Sequence, residues 1–338
     1  MPEISVSLQN VTKRYGAFTA VDDLSFEVSE GEIYGFLGPN GAGKTTTLRM
    51  MLDIIQPTSG SVAILGSSSA ISVRRRIGYL PEERGLYRKM KAADSIAYFA
   101  RLRGLSGAAA KARAHELLAR FGLEKFARSK NEALSKGMAQ KVQLLATIAH
   151  EPELLILDEP FSGLDPINQQ TLEALIRDQR AAGRTIIFST HVMQHAERLC
   201  DRFLILAKGK KRFEGTLAEA RASFAQRLHV RSAAPMSVIA DLPGVASARV
   251  EETQSDGRET VYEIALADGV DLQTFLKTLI DAGVPVTRFE QAGVSLHDIF
   301  VALAGDAGED ADSDNPDGGD ARRGASPPAR DAVMEAAE

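Results

Sequence analysis

Cysteine is almost missing from this chain: Cys200 stands alone among 338 residues. A single thiol excludes an intrachain disulfide framework and suits a reducing cytosol. Its plain reading is a small buried hydrophobe rather than a reactive group. Long apolar runs are missing too. None approaches the about 18 residues of a membrane span, and the opening "MPEISVSLQN" lacks the basic-then-apolar order of a signal peptide. The expectation is a chain that neither crosses nor enters a membrane by itself. No internal repeat occurs at solenoid periods. Strong positive charge is absent as well. The formal charge is −5, and residues 305–338 hold ten acidic and three basic residues, a net of −7, which leaves about +2 for the body. With the body near neutral, nucleic acid is not an obvious partner. The tail is rich in Gly, Pro, Ala and Asp, with Val333 and Met334 as its sizeable apolar residues. It cannot bury enough surface to offset its ordering entropy and reads as disordered.

What remains is ordinary globular material, 44% hydrophobic and 25% charged, long enough for two compact domains and a tail. Residues 3–37 read as strands ("ISVSLQNVTKRY", "LSFEVSE", "EIYGFLG"). Gly43–Ile55 reads as a helix, with Leu48, Met51, Leu52 and Ile55 at helical spacing. "SVAILG" and "IGYLP" are strands. Residues 83–150 turn helical, and then the short apolar strands "LLILD", "TIIFS" and "DRFLILAKG" return around the helical "INQQTLEALIRDQRAAG". Strands alternating with helices predict a buried, mostly parallel sheet, with residues 83–150 as an inserted helical subdomain. From about residue 222 the pattern becomes β-α-β-β-α-β, a ferredoxin-like order, and a last helix, "SLHDIFVALAG", follows. The division expected is 1–222, 223–304 and a tail at 305–338.

Gly38-Pro39-Asn40-Gly41-Ala42-Gly43-Lys44-Thr45-Thr46 is a P-loop in its expected context, after an apolar strand and opening a helix. Its glycines let backbone N–H groups curl around a phosphate, and the helix dipole favours an anion there by about 0.3–2 kcal/mol. Lys44 supplies charge to the outer phosphates and Thr45 a hydroxyl for Mg²⁺. "LLILDEP" ends a strand in Asp158, placed to hold a Mg²⁺ shell, and Glu159, placed to polarise an attacking water. "FSTHVM" puts His191 just past another strand end, the edge where ligands of open α/β sheets bind. His191 could reach a terminal phosphate or its water, cap a helix, or pair with His195 on a metal through the i, i+4 spacing of "HVMQH". The zinc-protease Glu and a third ligand are missing for that last reading. Tyr15 could stack on a nucleobase, worth about 1–3 kcal/mol, or be a surface residue. "LSKGMAQK" starts a second helix: Ser135 and Gly137 precede an apolar-periodic run in the manner of a capped N-terminus. His229 and His297 read as isolated.

This set resembles the ATP-binding cassette (ABC) ATPases. The P-loop, "LSKGM", "LLILDEP", "SGLD" (162–165) and "STH" (189–191) come in that family's order and spacing over about residues 3–220. "LPEERGLY" and the extra C-terminal domain resemble the nucleotide-binding subunits of bacterial ABC-2-type exporters, including sodium and drug efflux systems. The resemblance implies an α/β P-loop cassette with an antiparallel β subdomain and an inserted helical subdomain, followed by a small α+β ferredoxin-like domain. It implies an ATPase using ATP and Mg²⁺, peripheral on the cytoplasmic face of the cell membrane, that drives a separate permease docked on the helical insert. Two copies would stack head to tail, Ser135 and the amides near Gly137 binding the γ-phosphate held by a neighbour's Lys44, with Asp165 crossing the interface. Two positions depart from the family pattern. "LSGGQ" is "LSKGM" here, so Lys136 adds charge while Ser135 and Gly137 remain. Glu82 stands where the family has a Mg²⁺-ligating Gln after "GYLP"; either it ligates with a full charge or it is a solvated coupling-loop residue. Soluble ABC ATPases acting on ribosomes or DNA usually carry two cassettes in one chain or a long coiled-coil insertion, and neither is present. No N-K-x-D motif reads guanine.

Overall fold

The computed structural model describes residues 3–305, apart from 84, 224–226, 254–258, 268 and 293–294. In chain order the first part runs β1 (Ile4–Tyr15), β2 (Phe18–Ser29), β3 (Ile33–Leu37), α1 (Lys44–Met51), β4 (Ser59–Ile64), α2 (Ala70–Val73), β5 (Ile77–Leu80), α3 (Ala92–Leu102), α4 (Gly107–Arg120), α5 (Lys136–Ile148), β6 (Leu154–Leu157), α6 (Pro166–Ala181), β7 (Thr185–Thr190), α7 (Met193–Leu199), β8 (Arg202–Ala207), β9 (Lys210–Gly215) and α8 (Leu217–Ala222). β2-β1-β4 form an antiparallel sheet. β5-β6-β7-β3-β8-β9 form the main sheet, parallel except for the β8–β9 pair.

Residue choice explains the main sheet. Every residue of β3, β6 and β7 is buried, as expected of parallel strands covered on both faces. One core fills the side under the antiparallel sheet, around Phe26, Tyr34, Phe36 and Leu48. Another joins the main sheet to α3–α6 through Ile96, Leu117, Leu145 and Ile176. The chain leaves β3 into the P-loop, β6 into Asp158 and β7 into His191, so three carboxyl ends of neighbouring strands open on one place.

One expectation is corrected. The first helix stops at Met51 rather than Ile55. Asp53 turns left-handed at φ 55°, and its carboxylate accepts from Ser69 Oγ and Ala70 N, each at 2.8 Å. Helical spacing of apolar residues continues past a point where the backbone has already turned away to hold α2. The charged "KKRFEG", to which the sequence reading assigns no element, is a strand, β9, at the edge of the sheet, where lysines are tolerated because one side stays in water.

The second part runs β10 (Arg227–Ser232), α9 (Met236–Ala240), β11 (Val245–Thr253), β12 (Thr260–Leu266), α10 (Leu272–Asp281), β13 (Val286–Ala292) and α11 (Leu296–Gly305). Its sheet order is β11-β12-β10-β13, antiparallel throughout. This is the ferredoxin-like arrangement, with Val230, Ile264, Phe275 and Leu279 at its centre. α11 does not join that core. Its Leu296 and Ile299 pack on Met193, Ala196 and Ala220 of α7 and α8, and Leu296 N donates to Glu197 Oε1 at 2.7 Å. The expectation for the acidic tail lies outside the described residues, Gly305 excepted. Among the described residues no helix is long and apolar enough to cross a membrane. Cys200 packs against Gly35, where a Cβ would stand 2.6 Å from its sulfur. Burial pushes its thiol well up, and it takes the part of a small hydrophobe.

Candidate nucleotide site

The loop between β3 and α1 is shaped by glycine. Gly41 and Gly43 have φ +82° and +102°, and a Cβ on Gly43 would lie 2.6 Å from Ala20 O. Only glycine takes such conformations without strain. No side chain caps α1, so its first-turn N–H groups are left for an anion. Lys44, 6% exposed, donates from Nζ to Gly38 O at 2.6 Å and Pro39 O at 3.3 Å. Its ammonium stands 3.4 Å from Glu159 Oε1. Pro39, Asn40, Ala42, Thr45 and Thr46 complete the loop and the first turn.

Opposite the loop, Asp158 is 2% exposed. Its Oδ1 accepts from Ser189 Oγ at 2.6 Å and Thr45 Oγ1 at 3.2 Å. The Glu159 amide donates to the same Ser189 Oγ at 2.8 Å. Glu159 itself has φ +46°, a left-handed conformation that costs a non-glycine residue about 1–2 kcal/mol. Such strain persists where the surroundings over-determine it. Glu159 Oε2 meets His191 Nδ1 at 2.9 Å, while Oε1 is buried without a hydrogen-bond partner. One carboxylate is thus held between an ammonium and an imidazole. Ser189 carries no role in the sequence reading, although it lies two residues before His191. Its importance rests on the register of β6 against β7, which the sequence does not display.

Thr45 Oγ1 and the Asp158 carboxylate are hard oxygen donors of the kind Mg²⁺ takes, and Glu159 Oε1 faces the Lys44 ammonium. These residues fit that ion beside a phosphate. Glu82 lines the same cleft as Lys136, Gln140, Asp158, Glu159 and Ser162.

The remaining candidates sit farther out. Tyr15 is 49% exposed, with Lys13 Nζ 5.0 Å from its ring centroid. Ser135 is exposed and N-caps α5, its Oγ accepting from Met138 N at 3.3 Å. Asp165 N-caps α6, its Oδ1 accepting from Asn168 N at 2.9 Å. Those amide contacts hold the Asp165 carboxyl below its ordinary range. A Cβ on Gly137 would lie 2.8 Å from Asn168 Nδ2, and that amide donates to Asp165 Oδ2 at 2.6 Å. Ser135, Gly137 and Asp165 therefore stand on adjoining helix starts. His195 does not converge with His191: its Nδ1 faces Glu173 Oε1 at 3.3 Å. His229 is not isolated, with Glu251 Oε2 at 3.3 Å and Glu290 Oε1 at 3.7 Å; Glu290 comes from the adjacent β13 and Glu251 from β11, one strand beyond β12.

A family model described as ABC transporter matches residues 21–162. The uncharacterized ABC transporter ATP-binding protein YhaQ of Bacillus subtilis (strain 168) is 39% identical over 301 residues, 89% of this chain and 98% of that one. The chain belongs to the ABC transporter ATP-binding family. Its second part matches a model described as ATP-binding protein DrrA1-3-like, C-terminal domain, over residues 215–304. Another relative, the Nod factor export ATP-binding protein I of Burkholderia orbicola (strain AU 1054), is 35% identical over 306 residues, 89% of this chain and 97% of that one. Among solved structures, an ATP-binding subunit of an ABC transporter matches with a TM-score of 0.61 and 36% identity, over 65% of this chain and 92% of its own. CbiO1 from Clostridium perfringens, part of the ABC transporter complex cbiONQ, matches with a TM-score of 0.59 and 25% identity over the same shares. These relationships make the fold that of an ABC ATPase cassette, a domain that binds ATP.

Proposed function

We propose that the chain hydrolyses ATP to energise export through a separate membrane permease, and that two copies close head to tail with ATP between them. The cassette would be 1–222 with 83–150 as its permease-facing helical part, 223–304 an accessory dimerisation or regulatory domain, and 305–338 a tail. The observation that carries the reading is Glu159, buried between Lys44 and His191 at the end of β6. Lys44 and the uncapped amides of α1 bind the β- and γ-phosphates. Glu159 takes the proton of the attacking water, and His191 holds Glu159 and reaches the γ-phosphate. Tyr15 stacks on the base. Thr45, Asp158 and Glu82 would hold Mg²⁺, which when bound neutralises charge on the phosphates. One copy neutralises one side of the triphosphate. Ser135, the amides near Gly137, and Asp165 from the facing copy complete the enclosure, and the adjoining helix starts that carry them support their acting as a unit.

Export is supported by the name of the Burkholderia relative, and a permease by the complex to which CbiO1 belongs. With a permease bound, the chain would lie on the cytoplasmic face of the membrane. The test is nucleotide turnover by the full chain. ATP is hydrolysed in preference to GTP, and Lys44→Ala abolishes productive binding. A mixed dimer of Ser135 and Lys44 variants regains activity, because one composite site keeps both native halves. Unchanged turnover in Lys44→Ala would contradict the assignment, and no regain in the mixture would contradict the shared site.

A further inference from the structure

Behind the Glu159–His191 contact lies a buried histidine that the reaction as described does not use. His195 is 5% exposed, on the helix that begins just after His191. Its ring stacks on Phe161 with centroids 3.9 Å apart and planes 10° apart. Phe161, itself 4% exposed, follows Glu159 by two residues, with Pro160 between. Its ring also meets Phe188 of β7 edge-on, centroids 5.9 Å apart at 75°. Phe161 is thus wedged between the strand that leads into His191 and the helix that leads out of it.

We propose that His195 is a positioning residue for hydrolysis: its ring, stacked on Phe161 and tethered to Glu173, holds the Glu159 loop against the segment that carries His191. The inference rests on the assignment of Glu159 and His191 above. The two segments meet twice, at the 2.9 Å contact between Glu159 and His191 in front and at the stack behind. The front contact carries strain, since Glu159 is left-handed, and the stack is the packing that opposes its relaxation.

The tether explains why a polar ring serves here. His195 Nδ1–H donates to Glu173 Oε1 at 3.3 Å, which fixes the rotation of the imidazole in the plane that Phe161 needs. Glu173 is 5% exposed on α6 and is balanced by Arg177 at 3.5 Å and Arg198 at 3.7 Å. Desolvation holds the His195 pKa below its ordinary value, with Glu173 opposing and Arg198 adding to that shift; Nδ1 is the donor because it faces an acceptor carboxylate. The opposite side of α7 is fixed by α11, whose Leu296 and Ile299 pack on Met193 and Ala196. The helix is therefore held from both sides.

The test compares variants that separate the ring from its polarity, in the full chain. His195→Gln keeps a hydrogen-bond donor and loses the ring; His195→Phe with Glu173→Gln keeps the ring and removes the buried charge. A misplacement of the order of 1 Å costs up to about a hundredfold in rate. The expected result is that His195→Ala and His195→Gln lower kcat by about tenfold or more, with KM for ATP within about twofold of wild type. The Phe/Gln double variant recovers kcat to within about threefold. Thermal unfolding is followed in parallel; should the alanine variant fail to fold, the Gln and Phe/Gln variants carry the comparison. Wild-type kcat in His195→Gln, or a Phe/Gln variant as slow as His195→Gln, overturns the proposal. Glu159→Gln in the same series keeps the two levels apart: undiminished turnover there overturns the hydrolytic assignment itself.

Discussion

Replacing Ser189 by alanine tests the strand register that builds the site. Its hydroxyl, 0% exposed, donates to Asp158 Oδ1 at 2.6 Å and accepts from Glu159 N at 2.8 Å. A hydrogen bond to a charged group contributes about 1.5–3 kcal/mol, and a buried N–H left without a partner costs about 1–3 kcal/mol. The two losses share one atom, so Ser189→Ala should destabilise the cassette by about 3 kcal/mol. Urea unfolding of the full chain, followed through the cassette transition, measures it. In an Asp158→Asn background the charged bond is already weakened, so the same change should cost about 1 kcal/mol less, a coupling that a double-mutant cycle reads directly. Turnover should fall at least about tenfold, because the Asp158 carboxylate and the Glu159 backbone lose their common anchor. A loss under about 1 kcal/mol, or strict additivity with Asp158→Asn, would refute the bridge through Ser189.

Tyr15→Ala should leave stability unchanged, since the ring is already half exposed, and weaken ATP binding by about five- to a hundredfold, as loss of one base stack predicts; unchanged affinity in an equilibrium titration would make Tyr15 a surface residue. His150 is pushed down to about 4 by burial, with Arg103 and Arg184 adding to the shift and its bond to Ile77 O opposing it. The unfolded chain, with an ordinary histidine near pH 6.5, therefore takes up a proton before the folded one does. The contribution of neutral His150 is complete above about pH 6.5 and is lost as pH falls toward 4. His150→Gln should flatten the fall in urea midpoint between pH 7 and 5, and an unaltered slope would assign that fall to other groups. Glu82→Gln should shift the Mg²⁺ dependence of hydrolysis; no shift would make Glu82 a solvated loop residue.

The site was legible where chemistry is written in consecutive residues. The P-loop names its own geometry, because glycines at 41 and 43 and a lysine at 44 leave the backbone few alternatives. Asp158, Glu159 and His191 were legible because each follows an apolar strand, and strand ends of a parallel sheet gather on one edge. Ser189 and Phe161 were not, since their roles depend on which strands neighbour one another: β6 beside β7 brings Ser189 between the Asp158 carboxylate and the Glu159 amide. His195 was open to a metal reading because i, i+4 spacing says that two side chains share a helix face, whereas α7 begins at Met193 and leaves His191 outside it. The ferredoxin-like order was readable from alternation, yet the seat of α11 was not. An apolar helix does not state which core it joins, and here it leaves its own sheet for α7 and α8.

The central claim is that ATP joins two copies of this chain into one working unit. The measurement is the mass in solution of the Glu159→Gln chain with and without saturating ATP, alongside Glu159→Gln combined with Lys44→Ala, and repeated with the permease bound. The account predicts a doubling of mass with ATP in the first and none in the second. A Glu159→Gln chain that stays monomeric in every condition, or a wild-type monomer that turns over ATP at the full rate, would contradict it.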